Sequence, residues 1–84
     1  MSTNLFVGNL TFATTTGELE ALFAEYGEVA DAQIITDRET GRSRGFGFVE
    51  MASSDSADKA IAGLNGKDLA GRQLKVNVAK PRSN

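Results

Sequence analysis

Residues 45–51, Gly-Phe-Gly-Phe-Val-Glu-Met, constrain the fold of this chain more than any other stretch. An extended strand sends alternate side chains to opposite faces. Phe46, Phe48 and Glu50 therefore share one face, and Gly45, Gly47, Val49 and Met51 share the other. Bulky residues of a strand ordinarily face the core. Here that choice would bury the Glu50 carboxylate beside the rings, and an unpaired buried carboxylate is strongly unfavourable. The same division runs through three further extended segments. Leu5 and Val7 oppose Asn4, Phe6 and Gly8; Ala32 and Ile34 oppose Asp31, Gln33 and Ile35; Leu74, Val76 and Val78 oppose Lys75 and Asn77. All four strands assign one aliphatic face to the core and one polar face to solvent, and Gly45 and Gly47 on the inward face are expected to let a helix approach closely. Phe6, Phe46 and Phe48 are the aromatics of the solvent face.

Two helical patterns separate these strands. In residues 14–27, Leu19, Leu22, Phe23 and Tyr26 follow the i, i+3, i+4, i+7 spacing of one buried stripe. Thr15 and Glu18 have the spacing of a capping box, and Gly27 suits the C-terminal stop. In residues 53–66, Ala57, Ala60, Ile61 and Leu64 form the second stripe, with Ser53 or Ser54 as the cap and Gly66 as the end. The stretch 37–44, Asp-Arg-Glu-Thr-Gly-Arg-Ser-Arg, reads as a charged connection turning at Gly41. A turn at Ala70-Gly71 precedes a last strand over 73–78.

The element order is βαββαβ, a ferredoxin-like split βαβ arrangement. A right-handed crossover places both helices on one face of a four-stranded antiparallel sheet. Strands 1 and 3 then lie side by side in the centre, bringing Phe6 together with Phe46 and Phe48. The expected fold is an α+β sandwich of one domain over residues 1–80, with a short basic tail at 81–84. A chain of 84 residues has room for one core. The expectation is a cytoplasmic protein without a secretory leader or membrane span.

The net charge of −2 conceals an uneven distribution. Residues 1–37 hold Glu18, Glu20, Glu25, Glu28, Asp31 and Asp37 and no Lys or Arg; residues 72–84 hold Arg72, Lys75, Lys80 and Arg82 and no acid. The chain has neither Cys nor His. No thiolate or imidazole is available for catalysis or metal ligation, and the glycine-rich runs do not form a phosphate loop that opens a helix. The expectation is a non-enzymatic protein without a cofactor, a metal or a small-molecule substrate. Flat rings on a flat sheet, flanked by hydrogen-bonding side chains, suit unstacked nucleobases, which gain roughly 1–3 kcal/mol per base on stacking.

Residues 44–51, Arg-Gly-Phe-Gly-Phe-Val-Glu-Met, resemble the RNP1 motif of the RNA recognition motif family at six of seven specified positions. Residues 5–10, Leu-Phe-Val-Gly-Asn-Leu, resemble the companion RNP2 motif on strand 1. The resemblance covers nearly the whole chain and is greatest to the short single-domain bacterial members, the cyanobacterial type included. It implies binding of single-stranded RNA, with single-stranded DNA held more weakly, and a role in post-transcriptional regulation. It implies that Phe6 and Phe46 are base-stacking platforms, that Phe48 packs against sugars or between nucleotides, and that Arg44 pairs with phosphate. It further implies base-edge contacts from Asn4, Gln33, Lys75 and Asn77, and RNA contacts from Lys80 and Arg82 beyond the last strand. Asn9 fits a structural role as well as a contact. Met51 departs from the motif's aromatic at a core-facing position, and Glu50 with Asp31 adds negative charge to the binding face.

Arg38 and Arg42 in the charged connection fit either a phosphate-gripping arm or a solvated loop. Phe12, between strand 1 and the first helix, is expected to pack over the helix start. The alternative to RNA binding is a protein-interaction module, with a basic partner on the acidic first helix. The three sheet aromatics favour RNA.

Overall fold

A computed structural model describes residues 3–69 and 71–79. Strand β1 (Thr3–Gly8) leads through a loop to helix α1 (Thr16–Ala24), followed by β2 (Val29–Thr36), β3 (Ser43–Met51) and helix α2 (Ser54–Leu64). Two short strands, β4 (Asp68–Leu69) and β5 (Arg72–Gln73), precede β6 (Lys75–Val78). The main sheet has the order β2-β3-β1-β6, and each neighbouring pair is antiparallel. The expected α+β arrangement is present, with β1 and β3 in the centre.

Local chemistry sets the helix starts. The Thr15 hydroxyl accepts a hydrogen bond from the Glu18 N–H at 3.1 Å, and the Glu18 carboxylate accepts one from the Thr15 N–H at 3.0 Å. This is the capping box that the Thr15–Glu18 spacing predicts. Ser53, not Ser54, caps α2, its hydroxyl accepting from the Ser56 N–H at 3.2 Å. Leu19 and Phe23 from α1 and Ala57, Ala60 and Leu64 from α2 are buried against Leu5, Val7, Val49, Met51, Leu74 and Val76 of the sheet side. Leu22, Tyr26 and Ile61 lie partly buried at the margin of this core, as do Ala32 and Ile34 on the edge strand β2.

Three expectations need correction. The last strand does not run unbroken over 73–78. Arg72 and Gln73 pair with Leu69 and Asp68 as a separate hairpin, and Leu74 turns the chain into the main sheet, its N–H donating to the Lys67 carbonyl at 2.9 Å. Val78 has the parity of Val76, yet it is 48% exposed because it lies at the outer end of an edge strand. Gly47 does not serve the close approach of a helix. A Cβ there would meet the Gln33 carbonyl oxygen and lie 3.2 Å from the Ile34 Cα, so the neighbour it accommodates is the β2 backbone. The β2–β3 pairing shifts register between Val29 and Asp31, where the extra residue lies in β2, and between Ile34 and Thr36, where the extra residues lie in β3 between Ser43 and Gly47.

Candidate nucleic-acid interface

The sheet register arranges the polar face in rows. Gln33 lies opposite Phe48, Phe48 opposite Phe6, and Phe6 opposite Asn77. Two amide side chains thus flank two adjacent rings across all four strands. In the next row Asp31 lies opposite Glu50, and Glu50 opposite Asn4. Towards the other end Gly8 pairs with Lys75. A Cβ on Gly8 would lie 2.8 Å from Phe6 Cε2, so the bare glycine gives the Phe6 ring space to lie along its strand.

The three rings form one cluster. Phe6 lies 5.8 Å from both Phe46 and Phe48 between centroids, and Phe46 lies 6.3 Å from Phe48. Phe6 and Phe46 are tilted by 31°, whereas Phe48 stands edge-on, at 67° to Phe6 and 90° to Phe46. These separations are those of favourable aromatic pairs. None of the rings belongs to the core or packs against it. They are not fully bare: each is half-buried, because each leans on the other two. The cluster is therefore both a prearranged surface and a partly shielded one.

Asn4, Gln33, Arg44, Lys75 and Asn77 are all exposed, so the side chains singled out in the sequence reach solvent around or on this face. Glu50 is half-buried between its row neighbours. Lys80 and Arg82 lie outside the described residues. Arg38 and Arg42 are exposed in the β2–β3 connection, where the Asp37 N–H donates to the Arg42 carbonyl at 2.8 Å and closes the loop.

Asn9 has a structural task. Its φ is 61°, a left-handed conformation that Asn tolerates better than most residues. Its Nδ2 donates to the Gln73 carbonyl at 2.7 Å and its Oδ1 accepts from Arg72 Nη1 at 3.3 Å, tying the end of β1 to β5. Phe12 corrects the sequence expectation: it does not cover the helix start but is 67% exposed, with the Arg72 guanidinium 5.7 Å from its ring centroid. A lone aromatic in a loop carries no periodicity, so nothing in the sequence distinguished a packing residue from a presented one.

Glu18 and Glu20 on α1 and Glu25 at its C-cap are exposed, away from the rings. Among the described residues, no three His, Cys, Asp or Glu side chains converge as a metal site, and no helix is long and apolar enough to cross a membrane.

Residues 5–75 match the RNA recognition motif. The chain is 53% identical over 79 residues to the chloroplastic RNA-binding protein CP31B of Arabidopsis thaliana, covering 94% of this chain and 27% of that protein. It is 54% identical over 79 residues to RbpE of Nostoc sp., covering 94% of this chain and 80% of RbpE. The chain thus spans about a quarter of the plant relative and most of the cyanobacterial one. Among solved structures, the RNA binding protein PG1 superposes with a TM-score of 0.92 at 46% identity, covering 98% of this chain and 99% of that one. The Sxl-lethal protein in its RNA complex superposes equally well, with a TM-score of 0.92 at 37% identity, covering 99% of this chain and 50% of that one.

Proposed function

The chain belongs to the RNA recognition motif family, and we propose that it binds single-stranded RNA by stacking bases on Phe6, Phe46 and Phe48. The observation that carries this reading is the cluster of three rings within 6.3 Å of one another on the helix-free face. Solvent-facing aromatic area of this kind is favourably covered by an apolar, planar ligand. A nucleobase is planar and also carries a polar edge. Gln33 and Asn77, at the two ends of the Phe48–Phe6 row, offer donors and acceptors to such edges. Asn4 and Lys75 extend the same service to the neighbouring rows. Arg44 supplies a phosphate partner; Lys80 and Arg82 are expected from the sequence to contact the RNA beyond the last strand. Stacking on ring faces discriminates little between bases, so sequence preference is modest and single-stranded DNA binds more weakly. The biological outcome consistent with such binding is post-transcriptional regulation.

The test is a titration of short single-stranded RNA, labelled for fluorescence anisotropy, with the wild-type protein and Phe46→Ala. Removing the ring weakens binding by about 1–3 kcal/mol, while the melting temperature changes little because Phe46 lies outside the core. Equal affinities of the two proteins would reject the stacking role of this ring.

A further inference from the structure

We infer that Gly8 is a positioning residue of the proposed RNA platform: by lacking a side chain, it lets the Phe6 ring lie down beside Phe46 with one face open to a base. The inference rests on the stacking reading above and adds to it a residue that offers a ligand no side chain of its own.

Gly8 ends β1 two residues after Phe6, so the two share the polar face of the sheet. In the row that crosses the sheet there, Gly8 pairs with Lys75 of β6. On its other side Val7 pairs with Gly47, and Phe46 is the next residue of β3. Between Phe46 and Lys75 the row therefore has a gap one side chain wide. The Phe6 ring leans into it. A Cβ on Gly8 would lie 2.8 Å from Phe6 Cε2 and 3.1 Å from Cζ, against 3.8 Å from the Lys75 Cβ. Gly8 is buried although it stands on the helix-free face, and the atoms nearest to it there belong to that ring. The inclinations of the rings follow. Phe6 and Phe46 are tilted by only 31° at 5.8 Å, whereas Phe48 stands at 67° and 90° to them. A ring laid along its strand turns a face outward, and a face is what a base stacks on.

The cost of filling the gap falls on the ring. The Gly8 backbone lacks the positive φ of Gly45 (85°), so an L side chain fits its conformation. The atoms that a methyl group would meet are the far end of a side chain free to rotate about χ1 and χ2. Gly8→Ala thus lifts Phe6 out of the row and changes its inclination to Phe46, while β1 stays paired. At Gly47, by contrast, the same methyl group meets the β2 backbone.

The test is a double-mutant cycle on Phe6 and Gly8, read by fluorescence anisotropy with a labelled random-sequence RNA octanucleotide pool. Phe6→Ala weakens binding about fivefold or more, the loss of one stacked base. Gly8→Ala weakens it about threefold or more in the wild-type background, a partial loss of the same stacking. In the Phe6→Ala background it changes nothing, because no ring remains to displace. The melting temperature of Gly8→Ala stays near the wild-type value, and in the free protein the Overhauser contacts between Phe6 and Phe46 ring protons weaken. Wild-type affinity of Gly8→Ala, with Phe6→Ala weakened, would overturn the positioning role and leave the stacking reading standing. An equal loss from Gly8→Ala with and without the Phe6 ring would also overturn it, since the effect then passes through Lys75 or the fold. Wild-type affinity of Phe6→Ala would remove the stacking role of Phe6 on which the inference rests.

Discussion

Glu50 works against the function that its neighbours support. It stands in register between Asn4 and Asp31 on the polar face, so two like charges lie directly across a strand pair, an arrangement that is unfavourable by roughly 0.2–1 kcal/mol. The same charges repel a passing phosphate. Glu50→Gln is therefore expected to raise RNA affinity by about two- to fivefold at low salt, an advantage that shrinks as screening increases. Paired anisotropy titrations at two salt concentrations measure both effects; affinity lower than wild type would show that the carboxylate makes a favourable contact instead. Gly47 offers a test of packing at the same scale. A methyl group there meets fixed β2 backbone at Gln33 and Ile34, not the end of a mobile side chain. Gly47→Ala should lower stability by about 1–3 kcal/mol, as overpacking does, which denaturant unfolding would register as a lower midpoint at unchanged slope.

Edge protection is decided at the level of the element. β6 lies at one margin of the sheet, and an edge strand presents unpaired N–H and C=O groups to other chains. The side chain of Asn65, the α2 C-cap, accepts the Val76 N–H at 3.1 Å and covers one of these donors. Asn65→Ala should cost about 0.5–1.5 kcal/mol and speed amide exchange at Val76 before that of the central strands. Uniform acceleration across the sheet would assign the loss to the helix end instead. The elements also differ in how far they could be read from the sequence. The Thr15–Glu18 cap, both helical stripes and the outward direction of Phe6, Phe46 and Phe48 follow from spacing and parity alone, because each involves contacts repeated at a fixed period. The β4–β5 hairpin does not. Leu74, Val76 and Val78 alternate as one strand would, and the break appears only because Leu74 bonds back to Lys67 across the turn. Phe12 and Gly47 were misread for a related cause. Their surroundings come from β5 and β2, and a loop position or a single glycine carries no signal of which distant backbone lies beside it.

For the whole molecule, the acids of α1 and the rings of the sheet lie on different surfaces, and Arg42, Arg44, Arg72 and Lys75 are all exposed in the part of the chain that surrounds the rings. A net charge of −2 gives no strong long-range attraction for a polyanion, so on the proposed reading stacking is expected to supply most of the affinity and the salt dependence to be shallow. Within that shallow dependence, Arg44→Ala should reduce the slope of log affinity against log salt by about 0.7, the value for one phosphate contact on a single strand; an unchanged slope would remove Arg44 from the phosphate path. The most direct measurement of the central claim is an NMR titration with a short single-stranded RNA, reading nuclear Overhauser contacts between base protons and aromatic ring protons. The account predicts contacts from bases to Phe6, Phe46 and Phe48, with upfield ring-current shifts of those bases. A footprint confined to α1 and α2, with the three ring systems unperturbed, would contradict it.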